Sequence, residues 1–362
     1  MTLLDFNKTM KRPISINGQF TARRLTGQER FAIEIVTNLD KICKQGEFEL
    51  VVPKNATNVP ELDNIHVIRY GKAYGSAWEQ ICLAWYVIVK RRRSLNLCSV
   101  MPIIKPDIIC IHDLAFKTNK YTPESYKSIY KKISKFWHII QYHIAKHFSP
   151  IVFTVSEFSK KQMIDVYNYN PDKIVVIGNG WDHFKRVVED DTIKEKNPEY
   201  FKQPYFFSLA SLTPNKNFKW VLNVAKSHPQ YTFLIGGNAN LRAYGTDFQE
   251  ESMPNVHFLG YISDGQVKCL MKNCKAFIFP SFFEGFGIPP LEALSTGAQA
   301  IVSNTTCLPE IFQDCVHYID PFDTNVSLDE IMKEPVTKPD KILEKYTFPI
   351  FAKLLYDTIS RL

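Results

Sequence analysis

The sequence predicts an α/β protein made of two Rossmann-like, doubly wound domains that face a cleft. Short apolar runs alternate with stretches of helical period through most of the chain, which is typical of parallel sheets covered by helices on both faces. The length of 362 residues exceeds what one hydrophobic core usually organises, so two domains are expected. Hydrophobic residues make up 45% and charged residues 22%, a globular composition. In such a fold, ligands bind beyond the carboxyl ends of the strands.

The first half supplies the elements of the first domain, residues 1–180. Short apolar runs predict strands at Ile14–Asn17, Phe48–Pro53, Val67–Arg69, Ile108–His112, Ile151–Val155 and Ile174–Ile177. Stretches with apolar residues at helical spacing predict helices at Gln28–Leu39, Ala77–Arg92, Pro123–His147 and Ser159–Tyr167. Because strands and helices alternate, the strands are expected to be parallel and joined by helical crossovers.

The second half repeats this alternation in a domain at residues 204–345. Strands are predicted at Tyr205–Ala210, Thr232–Ile235, Val256–Leu259, Ala276–Pro280 and Ala300–Ser303. Helices are predicted at Phe218–Ser227, Asp264–Asn273, Pro290–Thr296 and Leu308–Phe312. The charged, proline-containing segment 181–203 is interpreted as a linker. A last amphipathic helix, Phe348–Ile359, is assigned with residues 346–362 to the first domain.

Several protein classes are disfavoured by the composition. The longest apolar run is about nine residues, against roughly 20 for a membrane span. No basic leader with an apolar stretch opens the chain, so a cytoplasmic location is expected. Eight cysteines without a CxxC pair indicate reduced thiols rather than disulfides or zinc ligands. The net charge of +7 permits an anionic partner, whether nucleic acid, phosphate ligand or lipid surface.

The most informative stretch is a strand, a glycine-containing loop and a helix at residues 279–294. Two prolines open the helix, where their missing N–H groups cost nothing. The amides around Gly285, Phe286 and Gly287 can therefore point at the oxygens of an anionic ligand. Glu284 in the loop and Glu292 on the helix are eight residues apart and can grip hydroxyl pairs in one cavity. The alternative is that the first is a solvent-exposed loop residue and the second an ordinary first-turn charge.

This stretch resembles the E-x7-E signature of retaining nucleotide-sugar glycosyltransferases of family four, which have the GT-B fold. Other blocks are similar in the same order, from about residue 14 to about residue 318. They include Leu25–Ala32, Ile111–Leu114, Thr154–Ser159, Gly178–Gly180, Ser208–Asn217, Phe258–Ile262 and Ser303–Glu310. The resemblance implies transfer of a hexose, mannose or rhamnose before glucose, to a lipid-linked surface polysaccharide such as O-antigen or capsule.

The resemblance also implies roles for individual residues. Glu292 would hold the ribose of the nucleotide, and Glu284 the hydroxyls of the transferred sugar. Lys216 would pair with the leaving diphosphate, and His112 would contact the donor sugar. Gly27 would let its loop approach the diphosphate. Without the resemblance, Lys216 would be read as a solvated loop lysine, His112 as a hydrogen-bonded strand-end histidine and Gly27 as a plain helix-start glycine.

One position departs from the family pattern. Ser211 stands where the family commonly has an arginine that helps to clamp the diphosphate. Either another cation compensates, or backbone amides carry more of the binding. The candidate cations are Arg23, Arg24, Arg30 and Arg242.

Other charged segments of the chain bear on metal use and on membrane contact. The acidic pairs Asp190-Asp191 and Asp320-x-x-Asp323 lack the Asp-x-Asp strand-end context of a metal-dependent transferase, so no catalytic metal and no cofactor beyond the sugar nucleotide are expected. The helix at Pro123–His147 contains five lysines and an aromatic stripe, and it is expected to contact the inner face of an anionic plasma membrane. The alternative is that the aromatic stripe faces the protein core. The run Lys90–Arg93 ends a second apolar helix.

Two other functions are weighed against transfer. A sugar-nucleotide epimerase could share the architecture, but the complete E-x7-E block and the His112 segment argue against it. A non-catalytic protein that binds nucleic acid or another anionic ligand would fit the positive charge. That charge is spread thinly along the chain, without the aromatic-interleaved basic platform that single strands need, so no nucleic-acid partner is expected.

Overall fold

A computed structural model of the chain describes residues 13–115, 129–209, 214–237 and 253–362. These residues fall into two compact units. The first unit comprises the described parts of Met1–Thr118, Ile133–Gly180 and Thr347–Leu362. The second comprises those of Asn119–Lys132 and Trp181–Tyr346.

Within the described residues, the first unit is built on a seven-stranded parallel sheet. Its strands are β1 (Ile14–Asn17), β2 (Phe48–Val52), β3 (His66–Arg69), β4 (Arg93–Asn96), β5 (Ile108–Cys110), β6 (Val152–Thr154) and β7 (Ile174–Val176). Their order is β3-β2-β1-β4-β5-β6-β7, so the direction of winding reverses between β1 and β4. Such a reversal opens a crevice at the carboxyl ends of the strands.

The helices of the first unit cover this sheet. They are Gly27–Asp40, Gly75–Ala77, Trp78–Leu83, Ala84–Val89, Ile129–Phe148, Glu157–Tyr167 and Phe348–Ile359. Short 3-10 turns lie at Gly18–Ala22 and Pro171–Lys173. The segments from Gly75 to Val89 run on from one another as one helix, hereafter the 75–89 helix, whose middle part Trp78–Leu83 is a π-turn.

The C-terminal helix Phe348–Ile359 returns to the first unit, as the fold-class prediction expected. It packs against the helix Gly27–Asp40, with the Phe31 and Phe348 ring centroids 6.4 Å apart. Gly180 lies directly beneath it: a Cβ on that residue would come within 2.6 Å of the Phe348 backbone nitrogen. The close approach of helix and loop therefore depends on a glycine there.

The described part of the second unit contains a six-stranded parallel sheet. Its strands are β8 (Tyr205–Leu209), β9 (Thr232–Gly236), β10 (Val256–Gly260), β11 (Ala276–Phe279), β12 (Ala300–Ser303) and β13 (His317–Ile319), in the order β10-β9-β8-β11-β12-β13. Its helices are Thr192–Lys196, Phe218–Ser227, Asp264–Asn273, Ile288–Ser295, Leu308–Phe312, Leu328–Lys333 and Asp340–Lys345. Short 3-10 turns lie at Asp182–Arg186, Pro198–Phe201 and Pro214–Lys216. Two doubly wound parallel sheets confirm the predicted fold class.

The segment 181–203 is part of the second unit in the structure. It is attached to the helix Asp264–Asn273, because Asp190 N–H donates to Gly265 O at 3.1 Å and Lys268 Nζ donates to Val187 O at 2.7 Å. All eight cysteines of the chain are free thiols. None of the helices in the described ranges has the length and apolar character that crossing a bilayer requires.

Candidate functional site

The loop after β11 and the helix Ile288–Ser295 carry the acidic pair predicted from the sequence. Gly287 sits directly before this helix with φ of +99°, a left-handed conformation that side chains with a Cβ rarely adopt. A Cβ there would also lie 2.8 Å from Leu308 Cδ2. The prolines 289 and 290 then occupy the first helical turn. The backbone bend between the two glutamates is therefore fixed by residue types that few others could replace.

Glu284 and Lys216, two of the residues predicted from the sequence, lie in contact. Lys216 Nζ lies 2.6 Å from Glu284 Oε1, which makes a short, charge-assisted hydrogen bond. The ammonium also lies 5.2 Å from the centre of the Phe279 ring, at the end of β11. The lysine stays partly exposed while the carboxylate is mostly buried. The pair thus offers a cation and an anion side by side at one edge of the sheet.

Hydrogen bonds hold the loop that contains Lys216 against the loop that contains Glu284. Phe282 N–H donates to Asn215 O at 2.8 Å, and Asn215 Nδ2 donates to Phe283 O at 3.2 Å. Glu284 N–H donates to Thr306 Oγ1 at 3.3 Å, which ties the loop to the segment after β12 as well. The Glu284–Lys216 contact therefore joins loops that are already fixed to each other.

Cys307 anchors the glycine-containing loop from below. Its buried thiol donates to Glu284 O at 3.3 Å and to Phe286 O at 3.4 Å. Burial raises the pKa of Cys307 well above its ordinary value, so the thiol remains a proton donor. The Phe286 side chain is buried edge-on against Tyr346, with ring centroids 5.3 Å apart. These contacts turn two carbonyls of the loop towards the protein.

Glu292 has a partner that sequence reasoning missed. His183 Nε2 lies 2.9 Å from Glu292 Oε1, and both side chains are mostly buried. His183 belongs to the short turn Asp182–Arg186, inside the segment interpreted as a linker. The signal for it was its position just after the Gly178–Gly180 block, whose resemblance to the family was noted without a role for the histidine.

In the first unit, His112 follows β5 and is buried. Its Nε2 lies 2.8 Å from Leu97 O; because a carbonyl only accepts, Nε2 carries the proton and Nδ1 is the acceptor nitrogen. Burial lowers the pKa of His112 to about 4, so the ring is neutral near pH 7. The Phe31 ring packs edge-on against it at 4.7 Å. The residue can accept a hydrogen bond but is unsuited to act as a cation.

Gly27 is the first residue of the helix Gly27–Asp40. Among the described residues, no heavy atom lies within 4 Å of the place where its Cβ would be. Packing among the described residues therefore does not by itself require a glycine at position 27.

Of the cations considered as substitutes for an arginine at Ser211, Arg23 is engaged elsewhere. Its guanidinium lies 3.4 Å from both oxygens of Glu79 and 3.7 Å from Glu29. Burial raises the pKa of Glu79, and the Arg23 cation opposes that rise. Ser211 and Arg242 lie outside the described residues.

In the parts of the chain that the structure describes, no three His, Cys, Asp or Glu side chains come together in a way that could hold a metal ion. The charges assembled at the second-unit site are instead Lys216, Glu284 and Glu292, a set suited to hydroxyl and phosphate groups.

Comparison with known families finds a match within the second unit. Residues 189–335 match the family described as "Glycosyl transferases group 1". The resemblance drawn from the sequence motifs is thereby confirmed. The matched region contains Lys216, Glu284 and Glu292, so the residues assembled at this edge of the sheet lie within the family domain.

Several of the similar proteins are named mannosyltransferases, and another is named a galactosyltransferase. The chain is 28% identical over 188 residues to O-antigen chain mannosyltransferase B of Escherichia coli, a match that covers 48% of this chain and 49% of the relative. It is 26% identical over 344 residues to O-antigen chain mannosyltransferase RfbU of Salmonella typhimurium, covering 88% of this chain and 89% of the relative. The chain thus spans about half of the first relative's length and most of the second's.

Solved structures share the fold along nearly the whole chain. Sucrose-phosphate synthase from Thermosynechococcus elongatus matches with a TM-score of 0.72 at 12% identity, covering 97% of this chain and 99% of that one. Anabaena HepE in complex with UDP-glucose matches with a TM-score of 0.65 at 15% identity, covering 97% and 100%. At these identities the likeness concerns the fold, which is that of GT-B glycosyltransferases.

Proposed function

We propose that this chain, whose residues 189–335 form a glycosyl transferases group 1 domain, transfers a hexose from a nucleotide-diphosphate sugar to a growing surface polysaccharide with retention at the anomeric carbon. Mannose is the favoured sugar because two relatives, which match about half and most of this chain, are named O-antigen mannosyltransferases. Rhamnose and glucose are the alternative sugars. The observation that carries the proposal is the 2.6 Å contact between Lys216 and Glu284, beside the helix that bears Glu292.

The pair would act on the bond that breaks. As the diphosphate departs, negative charge grows on its oxygens, and a fixed ammonium at Lys216 stabilises that charge more in the transition state than in the ground state. Glu284 would accept hydrogen bonds from the sugar hydroxyls while it holds the lysine in place. The amides of Gly285, Phe286 and Gly287 would add donors for sugar and phosphate oxygens. Glu292 would bind the ribose hydroxyls.

The first unit would supply Gly27 and His112. With its proton on Nε2 and bound to Leu97 O, His112 has Nδ1 to accept a hydrogen bond from a sugar hydroxyl. Its neutral ring avoids placing a second positive charge beside the donor. We assign no protein nucleophile: the departing phosphate would help to deprotonate the acceptor hydroxyl on the same face of the sugar. No catalytic metal is included in this proposal.

The acceptor is proposed to be a lipid-linked oligosaccharide, reached from the cytoplasmic side of the plasma membrane. The helix Ile129–Phe148 supports contact with a membrane, because Ile133 and Phe136 are exposed although both are large and apolar. Ile144, another residue of the predicted stripe, packs against the core of the first unit. The stripe predicted from the sequence is thus divided between the core and the solvent.

Product analysis tests the proposal directly. The protein would be incubated with GDP-mannose, dTDP-rhamnose or UDP-glucose and a short prenyl-diphosphate oligosaccharide, with and without EDTA. We expect one donor to yield an extended oligosaccharide whose new linkage keeps the donor's anomeric configuration, irrespective of EDTA. Inversion, or loss of turnover with EDTA, would refute the mechanism. Conversion of the sugar nucleotide without acceptor would indicate an epimerase.

Thermal shift identifies the nucleotide independently of the acceptor. UDP, GDP, dTDP and CMP would each be added to the purified protein. A ligand present at 100 times its dissociation constant adds about 2.7 kcal/mol to the free energy of unfolding, a readily measured change. Stabilisation by GDP would support a GDP-mannose donor. Stabilisation by a nucleotide without any turnover would favour a binding protein over an enzyme.

A further inference from the structure

The 75–89 helix exposes large apolar side chains along one side. Ile81 is 64% exposed and Trp85 is 61% exposed, and Ile88 and Val89 follow in the next turn. We call these four residues the apolar stripe. The opposite side of the helix is buried in the core of the first unit through Trp78, Leu83, Tyr86 and Val87. The helix therefore has two apolar sides, and only one of them is covered by the described parts of its own unit.

The π-turn in this helix accounts for the second apolar side. A π-turn places one extra residue in a turn and shifts the following side chains around the helix axis. At the start of this π-turn both Trp78 and Glu79 point inward: the Trp78 indole donates to Tyr70 O at 2.7 Å, and Glu79 accepts from Asn17 Nδ2 at 3.2 Å. The apolar residues of the next turns are then divided between the core and the solvent. Local π-turns are often found at functional positions.

The charges around the apolar stripe have one sign. Between residues 70 and 91 the sequence contains the cations Lys72, Lys90 and Arg91 and a single acid, Glu79. The three cations are exposed, whereas Glu79 is 1% exposed and lies against Arg23. A segment that combines exposed Trp and Ile side chains with exposed cations matches the boundary between headgroups and acyl chains of an anionic bilayer.

The basic run after this helix is less available than its sequence suggests. Arg92 lies 3.4 Å from Glu49, and Arg93 lies 3.0 Å from Asp107. These two arginines therefore stabilise the first unit from within. Any electrostatic attraction at this end of the helix has to come from the two residues before them.

A cavity of about 350 Å³ opens beside the apolar stripe. It is lined by Lys54, Tyr70, Gly71, Lys72, Ile81, Cys82 and Trp85. Two ammonium groups thus share a cavity with the two most exposed apolar residues of the stripe. Gly71 forms part of its wall with φ of +76°, and a Cβ there would lie 2.5 Å from Cys82 Sγ.

The 75–89 helix borders a segment that leads to another exposed apolar residue. Gln80 Nε2 donates to Met101 O at 2.9 Å and Gln80 Oε1 accepts from Ile103 N–H at 3.0 Å, so this helix borders the segment 101–103. The helix Ile129–Phe148 borders the same segment, because Met101 N–H donates to Gln141 Oε1 at 3.2 Å. Ile104, the next residue, is itself exposed.

We propose that the apolar stripe and its cavity dock the first unit on an anionic phospholipid bilayer. Ile81 and Trp85 enter the interfacial layer, and a lipid phosphate lies in the cavity between Lys54 and Lys72. Lys90 and Arg91 meet the surface charge at the other end of the helix. The choice of a membrane as partner rests on the proposed function, which requires a lipid-linked acceptor. The docking itself needs neither donor nor acceptor, so it is measured without them.

Vesicle sedimentation with full-length protein tests the docking. Vesicles of phosphatidylcholine alone are compared with vesicles in which about a third of the lipid is phosphatidylglycerol, because basic segments respond to anionic lipid. We expect binding only to the anionic vesicles, weakened by salt. Trp85→Ser should weaken it about tenfold, in line with loss of most of the burial of one large apolar side chain. Ile350→Ser, at an exposed isoleucine on the C-terminal helix, is the matched control and should bind normally.

Charge variants separate attraction from insertion. Lys72→Gln and Lys90→Gln should each weaken vesicle binding about fivefold, because one cation near an anionic surface contributes about 1 kcal/mol. Lys341→Gln, at an exposed lysine of the second unit, should leave binding unchanged. Equal binding to neutral vesicles, or normal binding by the Trp85 variant, would overturn the proposal. So would a concentration-dependent dimer that Trp85→Ser dissociates, because a second copy would then cover the stripe.

Transfer to a water-soluble acceptor distinguishes this proposal from the proposed function. Docking variants should keep that activity while losing vesicle binding. A protein that binds anionic vesicles through the apolar stripe but transfers no sugar would refute the transferase and retain the docking surface. A protein that transfers sugar but does not bind anionic vesicles would refute the docking surface and retain the transferase.

Discussion

Replacing His183 by alanine should separate binding of the donor from its chemistry. The imidazole lies 2.9 Å from Glu292 Oε1 in a mostly buried setting, so the substitution leaves the carboxylate without the group beside it. If Glu292 binds the ribose, it holds the nucleotide equally in the ground state and the transition state. Loss of such uniform binding raises KM and leaves kcat nearly unchanged.

The size of the effect follows from positioning rather than from a direct contact. Immobilising one flexible side chain costs about 0.5–1.5 kcal/mol, and a Glu292 side chain without His183 would have to be immobilised by the nucleotide itself. A cost of about 1 kcal/mol corresponds to about a fivefold higher KM for the donor. Glu292→Gln, which removes the charge that meets the ribose hydroxyls, should raise KM by at least as much.

Steady-state kinetics and nucleotide calorimetry on four proteins provide the test: wild type, His183→Ala, Glu292→Gln and the double variant. If the histidine acts through the glutamate, the double variant should resemble Glu292→Gln alone. His228→Ala is the matched control, since His228 is also buried in this unit but its Nδ1 lies 2.9 Å from Val224 O. An unchanged KM in His183→Ala, or an equal change in the control, would refute the positioning role. An unchanged KM in Glu292→Gln would instead refute the ribose assignment.

Four further predictions concern other residues of the two units. Glu284→Ala removes the 2.6 Å partner of Lys216 and should lower kcat at least tenfold while nucleotide affinity changes little; full turnover would refute the site. Gly180→Ala should lower the free energy of unfolding, measured by urea denaturation, by about 1–3 kcal/mol. The reason is that the new Cβ would lie 2.6 Å from the Phe348 backbone nitrogen. Gly27→Ala, with open space around its Cβ, should leave stability unchanged but slow transfer. His112, with its pKa lowered to about 4, should stabilise the fold above its ordinary pKa of about 6.5 and progressively less as pH falls towards 4; His112→Asn should flatten that pH dependence of the unfolding free energy.

Strands and helices with a clear apolar period were predictable from sequence, as Phe218–Ser227 and Ala300–Ser303 show. The strand Arg93–Asn96 was missed because two of its four residues are buried polar groups. Ser94 N–H donates to Asp107 and Asn96 Nδ2 donates to Ile108 O at 3.0 Å. Such burial is affordable only when partners from a neighbouring strand are in place, and no local pattern reveals them. The helix Leu328–Lys333 was missed because it is short and its surroundings are polar.

The residues of the candidate site also differ in whether the sequence alone could predict them. Glu284, Glu292 and Lys216 could be proposed because each lies in a short sequence block that resembles a family motif. His183 was missed because its meaning depends on a carboxylate that is distant in the chain and close in space. Arg23 was considered as a cation for the donor, and the structure instead places it on Glu79 of the same unit. Pairing between distant charges is decided by the tertiary fold.

The return of the C-terminal helix to the first unit has a consequence for biosynthesis. The ribosome completes the second unit, up to Tyr346, before it makes the helix Phe348–Ile359 that packs on Gly27–Asp40. During that interval the apolar face around Phe31 lacks the cover that the C-terminal helix provides. Exposed apolar surface on partly made chains invites aggregation, so the nascent first unit passes through a vulnerable stage that lasts as long as translation of the second.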